Sequence, residues 1–237
     1  SNGNSVRRWN DFSGNNNHAN QANESYRPFF QTGIINGEPA LEFFGNDFID
    51  PGSLGISGNS GFSFVVVFRP KTYDEGNIAS GNGDYIIDRT TLTNNLTSLK
   101  FINPAKYCFQ KRDNNNNGIN TSPVSVSSVT TSSFTLISYM RESPRTYYRL
   151  FVNGNNETNV VDNDGDLTPP IPRIGRHYNT ENNGLNGYIS ELLIYNYRLN
   201  NAQLNIINSY LAAKYGLTIS NDKYSYDATH KNEVAGI

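Results

Sequence analysis

Cysteine, methionine and tryptophan occur once each in this chain of 237 residues, as Cys108, Met140 and Trp9, and histidine occurs three times. A single thiol excludes an internal disulfide and any zinc site built from several cysteines. Cys108 lies in KYCFQ with no histidine nearby in sequence, so it reads as a small buried hydrophobe rather than a nucleophile. His18, His177 and His230 are too dispersed to suggest a metal triad. Basic charge is also in short supply. With 19 Lys and Arg against 21 Asp and Glu, the counterion-release effect that drives nucleic-acid binding has no surface to act on, and no nucleic-acid partner is expected. Long hydrophobic runs are missing as well: FVVVF (Phe64 to Phe68) and LLIY (Leu192 to Tyr195) have the length of strands, so no direct membrane insertion is expected. The chain does not open on a basic and then apolar leader, so an export signal is expected to have been removed or to lie outside this sequence.

What is present in excess is asparagine, roughly 15% of the residues, which with abundant Gly and Ser marks long turns rather than helices. Short β-prone runs separated by turn clusters alternate through the first half of the chain, the spacing of a sandwich or barrel rather than of βαβ units. FSFVVVFRP (Phe62 to Pro70) reads as a central strand, apolar on both faces; DYIIDR, LKFIN, KYCFQ, FTLISYMR and YYRLFV read as further strands. Asn153 and Gly154 form the pair that best tolerates positive φ in a tight turn, so YYRLFV and ETNVV are expected to pair as an antiparallel hairpin. RDNNNNGINTSP (Arg112 to Pro123) reads as a long exposed loop.

NGYISELLIYNYRLNNAQ (Asn186 to Gln203) carries the clearest signal. A regular strand would place Ile189, Glu191, Leu193 and Tyr195 on one face and Ser190, Leu192 and Ile194 on the other. Both faces then need cover, one from an opposing sheet and one from a lid. Asn200 with Gln203 makes a capping-box pattern, and Leu199 and Leu204 sit at the staple positions either side. Leu204, Ile207, Leu211 and Tyr215 fall on one helical stripe ended by Gly216, which predicts a short helix lying over the sheet.

Several stretches in order resemble the concanavalin A-like lectin/glucanase jelly roll, and specifically the laminin-G-like modules of bacterial secreted and surface proteins. These are WNDFSGNNNHANQ (Trp9 to Gln21), GEPALEFFGNDFI (Gly37 to Ile49), FSFVVVFRP, LFVNG (Leu150 to Gly154), and IGR with the strand and helix that follow. The resemblance implies an all-β, two-sheet antiparallel sandwich with one C-terminal helix. It places the laminin-G-like domain at residues 1–219, with 220–237 as an extension toward a following module of a larger multidomain chain at the bacterial cell surface or outside the cell. Such modules bind glycans or surface proteins, serve as adhesion spacers, or accompany a catalytic domain, often with a structural calcium ion.

A glycosidase needs two carboxylates roughly 5 to 10 Å apart, and the E-x-D-x-x-E strand of the glucanases of this fold is missing here, so no enzyme is expected. Calcium has two candidate sets. Asp162, Asp164 and Asp166 alternate around Gly165, yet Arg173 stands where an EF-hand would need its bidentate Glu, and a solvated turn is the competing reading. Asn46, Asp47 and Asp50 end the family-like strand, where an Asp holds calcium or ligand in relatives; an Asx turn is the alternative. Sugar recognition asks for exposed aromatic faces beside planar polar groups. Arg176, His177, Tyr178 and Asn179 share the loop Gly175 to Gly184, and Tyr85 and Tyr73 lie in segments that could converge on it; the alternative is an ordinary polar loop. Trp9, in the opening strand, reads as core. The expected function is non-catalytic polysaccharide binding, with a protein-binding or spacer domain as the alternative and a glycan-active enzyme third.

Overall fold

The computed structural model describes residues 1–78, 82–89, 96–112, 122–142, 147–161, 172–179, 181 and 183–224. The expected loop after Arg112 and the Asp162, Asp164 and Asp166 set lie outside these residues, as does the chain beyond Tyr224.

Every strand pair is antiparallel. The larger sheet holds β3 (Phe29–Ile35), β4 (Glu38–Phe44), β5 (Phe62–Thr72), β10 (Thr135–Arg141), β11 (Tyr147–Val152), β12 (Asn155–Val161) and β14 (Asn186–Tyr195), in the order β12-β11-β10-β5-β14-β4-β3. The smaller sheet holds β6 (Tyr85–Arg89), β7 (Leu96–Ile102), β8 (Lys106–Arg112), β9 (Val124–Ser128) and β13 (Pro172–Ile174), in the order β13-β6-β7-β8-β9. A two-residue pair, β1 (Arg8–Trp9) with β2 (Ala19–Asn20), closes the loop near the N-terminus. The protein is a β-sandwich of jelly-roll type with one α-helix, α1 (Asn201–Tyr215).

The period-two pattern of β5 explains how one strand serves two cores. Phe62, Phe64, Val66 and Phe68 point between the sheets and meet Phe101, Tyr107 and Phe109; the Phe64 and Phe109 ring centroids are 6.0 Å apart, those of Phe68 and Tyr107 5.8 Å. Val65 and Val67 point the other way, into a second cluster with Leu136, Met140, Leu204, Leu211 and Tyr215. The helix is therefore the lid that an apolar outer face requires. Its start is fixed locally: Gln203 N donates to Asn200 Oδ1 and Asn200 N to Gln203 Oε1, both at 2.9 Å. Leu199 and Leu204 are buried as a staple, and Gly216 ends the helix at φ 62°. Ser63, fully buried on the outer face of β5, accepts from Leu199 N at 2.9 Å and donates to the Tyr197 carbonyl at 3.1 Å, which ties the strand-to-helix connection to the sheet.

The Asn153–Gly154 hairpin forms as expected, with φ of 47° and 79° and Val152 opposite Asn155. Ser220 N then donates to the Asn153 carbonyl at 2.9 Å, so the chain after the helix runs back over this turn. Cys108 is buried, and burial pushes its thiol up to about 12.

One expectation for β14 needs correcting. A bulge at Ser190 makes Ile189 the partner of Phe68 while Glu191 pairs with Val67. Ile189 therefore joins Leu192 and Ile194 between the sheets, and the face toward the helix carries Glu191, Leu193 and Tyr195. An extra unpaired residue reverses the alternation at that point.

Leu211 is 1% exposed beneath the helix, so Leu211→Ala should cost about 2 to 5 kcal/mol of stability. Asn200→Ala, which removes the cap alone, should cost about 1 kcal/mol. Urea denaturation midpoints of the two variants measure both, and equal losses would contradict the lid assignment.

Candidate functional site

The residues expected to bind sugar do come together in part, as packing. Arg176 is 7% exposed; its guanidinium lies 4.8 Å from the Tyr26 ring centroid and 4.3 Å from that of Phe48, and Nη1 donates to the Asn46 carbonyl at 3.1 Å and to Asn46 Oδ1. Arg173 stacks on Phe48 at 3.9 Å. His177, also 7% exposed, lies between the rings of Tyr85 and Tyr178, at centroid distances of 4.7 and 4.6 Å. Asp88 anchors this loop by accepting from Tyr178 N at 2.9 Å and from Ser98 Oγ. Tyr85 is 1% exposed. Tyr73 packs instead on Phe101, with centroids 5.0 Å apart. Burial thus removes Arg176, His177 and Tyr85 as contacts for a sugar face, because their flat surfaces already meet neighbours from other strands. Tyr178, half-buried, and Asn179, exposed, stay at the surface.

The calcium set meets the same two arginines. Both Asp50 carboxylate oxygens lie 3.2 Å from Arg173 nitrogens, Asn46 serves Arg176, and Asp47 Oδ2 accepts from Phe44 N at 2.9 Å. Loss of solvent pushes the Asp47 and Asp50 carboxyls up, against the pull of their partners. A hard cation needs several converging oxygens that are free to turn toward it. Here two guanidinium groups occupy that role, so these residues do not fit calcium. Among the described residues no cluster of three His, Cys, Asp or Glu is placed to hold a metal ion.

A different place has the shape of a binding site. β14 pairs with β5 from Asn186 to Tyr195, but with β4 only from Asn186 to Ile189. Two features pull β4 away: the bulge at Ser190, and Pro39, which lacks the N–H that continued pairing would use. The tip of the β3–β4 hairpin is held at the helix end by Asn36 Nδ2, which donates to the Lys214 carbonyl at 2.9 Å. The resulting gap widens into an open cleft of about 1040 Å³. Leu54, Leu192 and Ile194 supply apolar wall, and Trp9, packed on the inter-sheet core as expected, also lines it.

The rim comes from the loop after β1. Asp11 accepts from Ser13 N at 2.8 Å, Asn17 N at 2.9 Å and Ser13 Oγ at 2.9 Å, while its own N–H donates to His18 Nδ1 at 3.0 Å. These bonds, the Ser13 amide first, hold its carboxyl below its ordinary value. They also prop out Phe12, which is 92% exposed. Tyr195 and Tyr197 also line the cleft, with ring centroids 5.5 Å apart and Tyr197 47% exposed. Glu191 accepts from Lys214 Nζ at 2.9 Å and from Tyr215 OH at 2.8 Å, which pins the helix end to β14. Exposed aromatic faces beside amides such as Asn15, Asn17 and Asn196 provide the stacking and hydrogen-bonding groups that a polyhydroxylated ligand uses. The sequence signal for this site was an exposed Phe in an otherwise polar loop, together with a proline inside a strand.

No family model and no curated protein matches the sequence. Solved structures match the fold. Domain 4 of AbnA, an extracellular arabinanase from Geobacillus stearothermophilus, in complex with arabinotriose, is 15% identical with a TM-score of 0.58, over 79% of this chain and 84% of that one. The CBM40 of the Ruminococcus gnavus IT-sialidase, bound to alpha2,3 sialyllactose, is 12% identical with a TM-score of 0.54, over 71% and 96%. The binding domain of botulinum neurotoxin serotype G is 12% identical with a TM-score of 0.57, over 89% of this chain and 51% of that one. At these identities the shared property is the jelly-roll sandwich.

A second, smaller cleft beside Tyr73 holds Asp84, whose carboxyl is pushed up to about 7, first by burial and further by the Asp74 charge, against the bond it accepts from Asp74 N. Its ordinary value is 3.8, so between these two values the unfolded chain releases a proton that the folded chain keeps. Stability should therefore fall as pH rises from about 4 to about 7. Denaturation midpoints at both ends of that window should converge in Asp84→Asn.

Proposed function

We propose that this chain is a non-catalytic carbohydrate-binding module of laminin-G-like type, belonging to a secreted or cell-surface protein, and that it holds a glycan in the cleft beside β14. The observation that carries this reading is that Phe12 and Tyr197, two exposed aromatic residues, both line a cleft that also holds several amide side chains. An aromatic ring left facing water gains a packing partner when it stacks on the C–H face of a sugar. Two of the solved structures that share the fold carry bound sugars, arabinotriose in one and sialyllactose in the other, which supports the same ligand class.

A binding rather than catalytic role is supported by how two of the cleft carboxylates are used. Asp11 accepts with both oxygens from Ser13 and Asn17, and Glu191 Oε2 accepts from Lys214 and Tyr215. Both hold the loop and the helix end in place, a structural use unlike the acid and base pair of glycoside hydrolysis.

Titration calorimetry against a panel of oligosaccharides tests the proposal. A binding sugar should lose about three- to tenfold in affinity on Phe12→Ala and on Tyr197→Ala, the worth of one aromatic stacking contact, with melting temperatures unchanged. Tyr178→Ala should leave the affinity alone; a loss there instead would move the site to the Gly175 to Gly184 loop. Absence of saturable sugar binding would leave the protein-binding or spacer reading in its place.

A further inference from the structure

We infer that the cleft selects uncharged glycans and reads their hydroxyls with the unpaired edge of β14. The inference rests on the carbohydrate reading above and adds the chemical class of the sugar.

The first observation is the edge itself. From Glu191 to Tyr195 the strand pairs with β5 on one side, and among the described residues no strand pairs with it on the other. In an antiparallel strand, alternate residues turn both N–H and C=O to the same side. This stretch therefore presents donors and acceptors together along the cleft wall. A hydroxyl both donates and accepts, so a row of sugar hydroxyls can satisfy both kinds of backbone group. A carboxylate or sulfate only accepts. It would leave the edge carbonyls without donors after their water had been displaced, which is unfavourable.

The second observation is charge. Asp11, Glu38 and Glu191 line the cleft, and Lys214 is the one cation among the lining residues. Its ammonium already lies 2.9 Å from Glu191. Arg173 and Arg176 are stacked on Phe48, and no arginine is among the lining residues described. An anionic glycan would enter a site whose described lining carries three carboxylates and one cation already paired, whereas a neutral one meets no such barrier.

The experiment uses the whole chain with two sets of probes. Neutral probes are arabinotriose, cellohexaose, laminarihexaose and mannohexaose; acidic probes are alpha2,3 sialyllactose and oligomers of alginate and polygalacturonate. Each is titrated at ionic strengths of about 10 mM and about 150 mM, since screening separates charge repulsion from shape. At least one neutral probe should bind saturably and slow amide exchange within Leu192–Tyr195. Acidic probes of similar length should bind at least tenfold more weakly, with the gap widest at low salt. Glu38→Lys should narrow that gap by about tenfold at low salt. Acidic probes that bind as tightly as neutral ones while protecting Leu192–Tyr195 would overturn the charge selection but keep the carbohydrate reading. Neutral binding that protects residues 176–179 instead would overturn the role of the β14 edge. Failure of every probe of both classes would overturn the carbohydrate reading itself.

Discussion

The pairing of β14 with β5 is the constraint from which the rest of the molecule follows. Both strands carry apolar residues on both faces, so each face of the pair needs cover. One face of the pair meets the smaller sheet through Phe64, Phe68 and Ile189, and the other meets α1 through Val65, Val67 and Leu193. The strand leads straight into the helix, and the buried hydroxyl of Ser63 holds the connection at the sheet. Strand, turn and lid are therefore one continuous device for keeping water from both sides of a central pair.

The same device produces the cleft. A strand in the middle of a sheet ordinarily has two partners over its whole length. β14 loses one of them after Ile189, where the bulge at Ser190 and the missing N–H of Pro39 meet. The helix keeps the open end of the strand in place, since Lys214 and Tyr215 both bind Glu191. An unpaired edge is usually a liability for aggregation. Here the Asp11 loop and three carboxylates line the same cleft as the edge, and charge beside an edge discourages pairing with another chain. They also define what small ligand the edge could accept.

On the smaller sheet the polar groups follow the opposite logic. Arg176, His177, Tyr178 and Asn179 look in sequence like a recognition loop, yet Arg176 and His177, with Arg173 and Asp88, are consumed in fixing that loop to Phe48, Asp50, Tyr85 and Ser98. Weakly hydrated guanidinium groups stack well on aromatic rings, so arginines beside Tyr26 and Phe48 go to packing. Gly175, at φ 98° with a virtual Cβ 2.4 Å from the Phe43 ring, shows how closely the loop approaches the core.

The sandwich class, the Asn153–Gly154 hairpin and the capped helix were all legible in the sequence, because each depends on residues a few positions apart whose periodicity or turn chemistry is local. The bulge was not, since one unpaired residue leaves the composition of a strand unchanged while reversing the faces on either side of it. Nor were the burial of Arg176 and Tyr85 or the position of the cleft. Those depend on which surfaces meet when both ends of the chain close on one strand, and only three-dimensional packing decides whether an aromatic or a cation is left facing water or a neighbour.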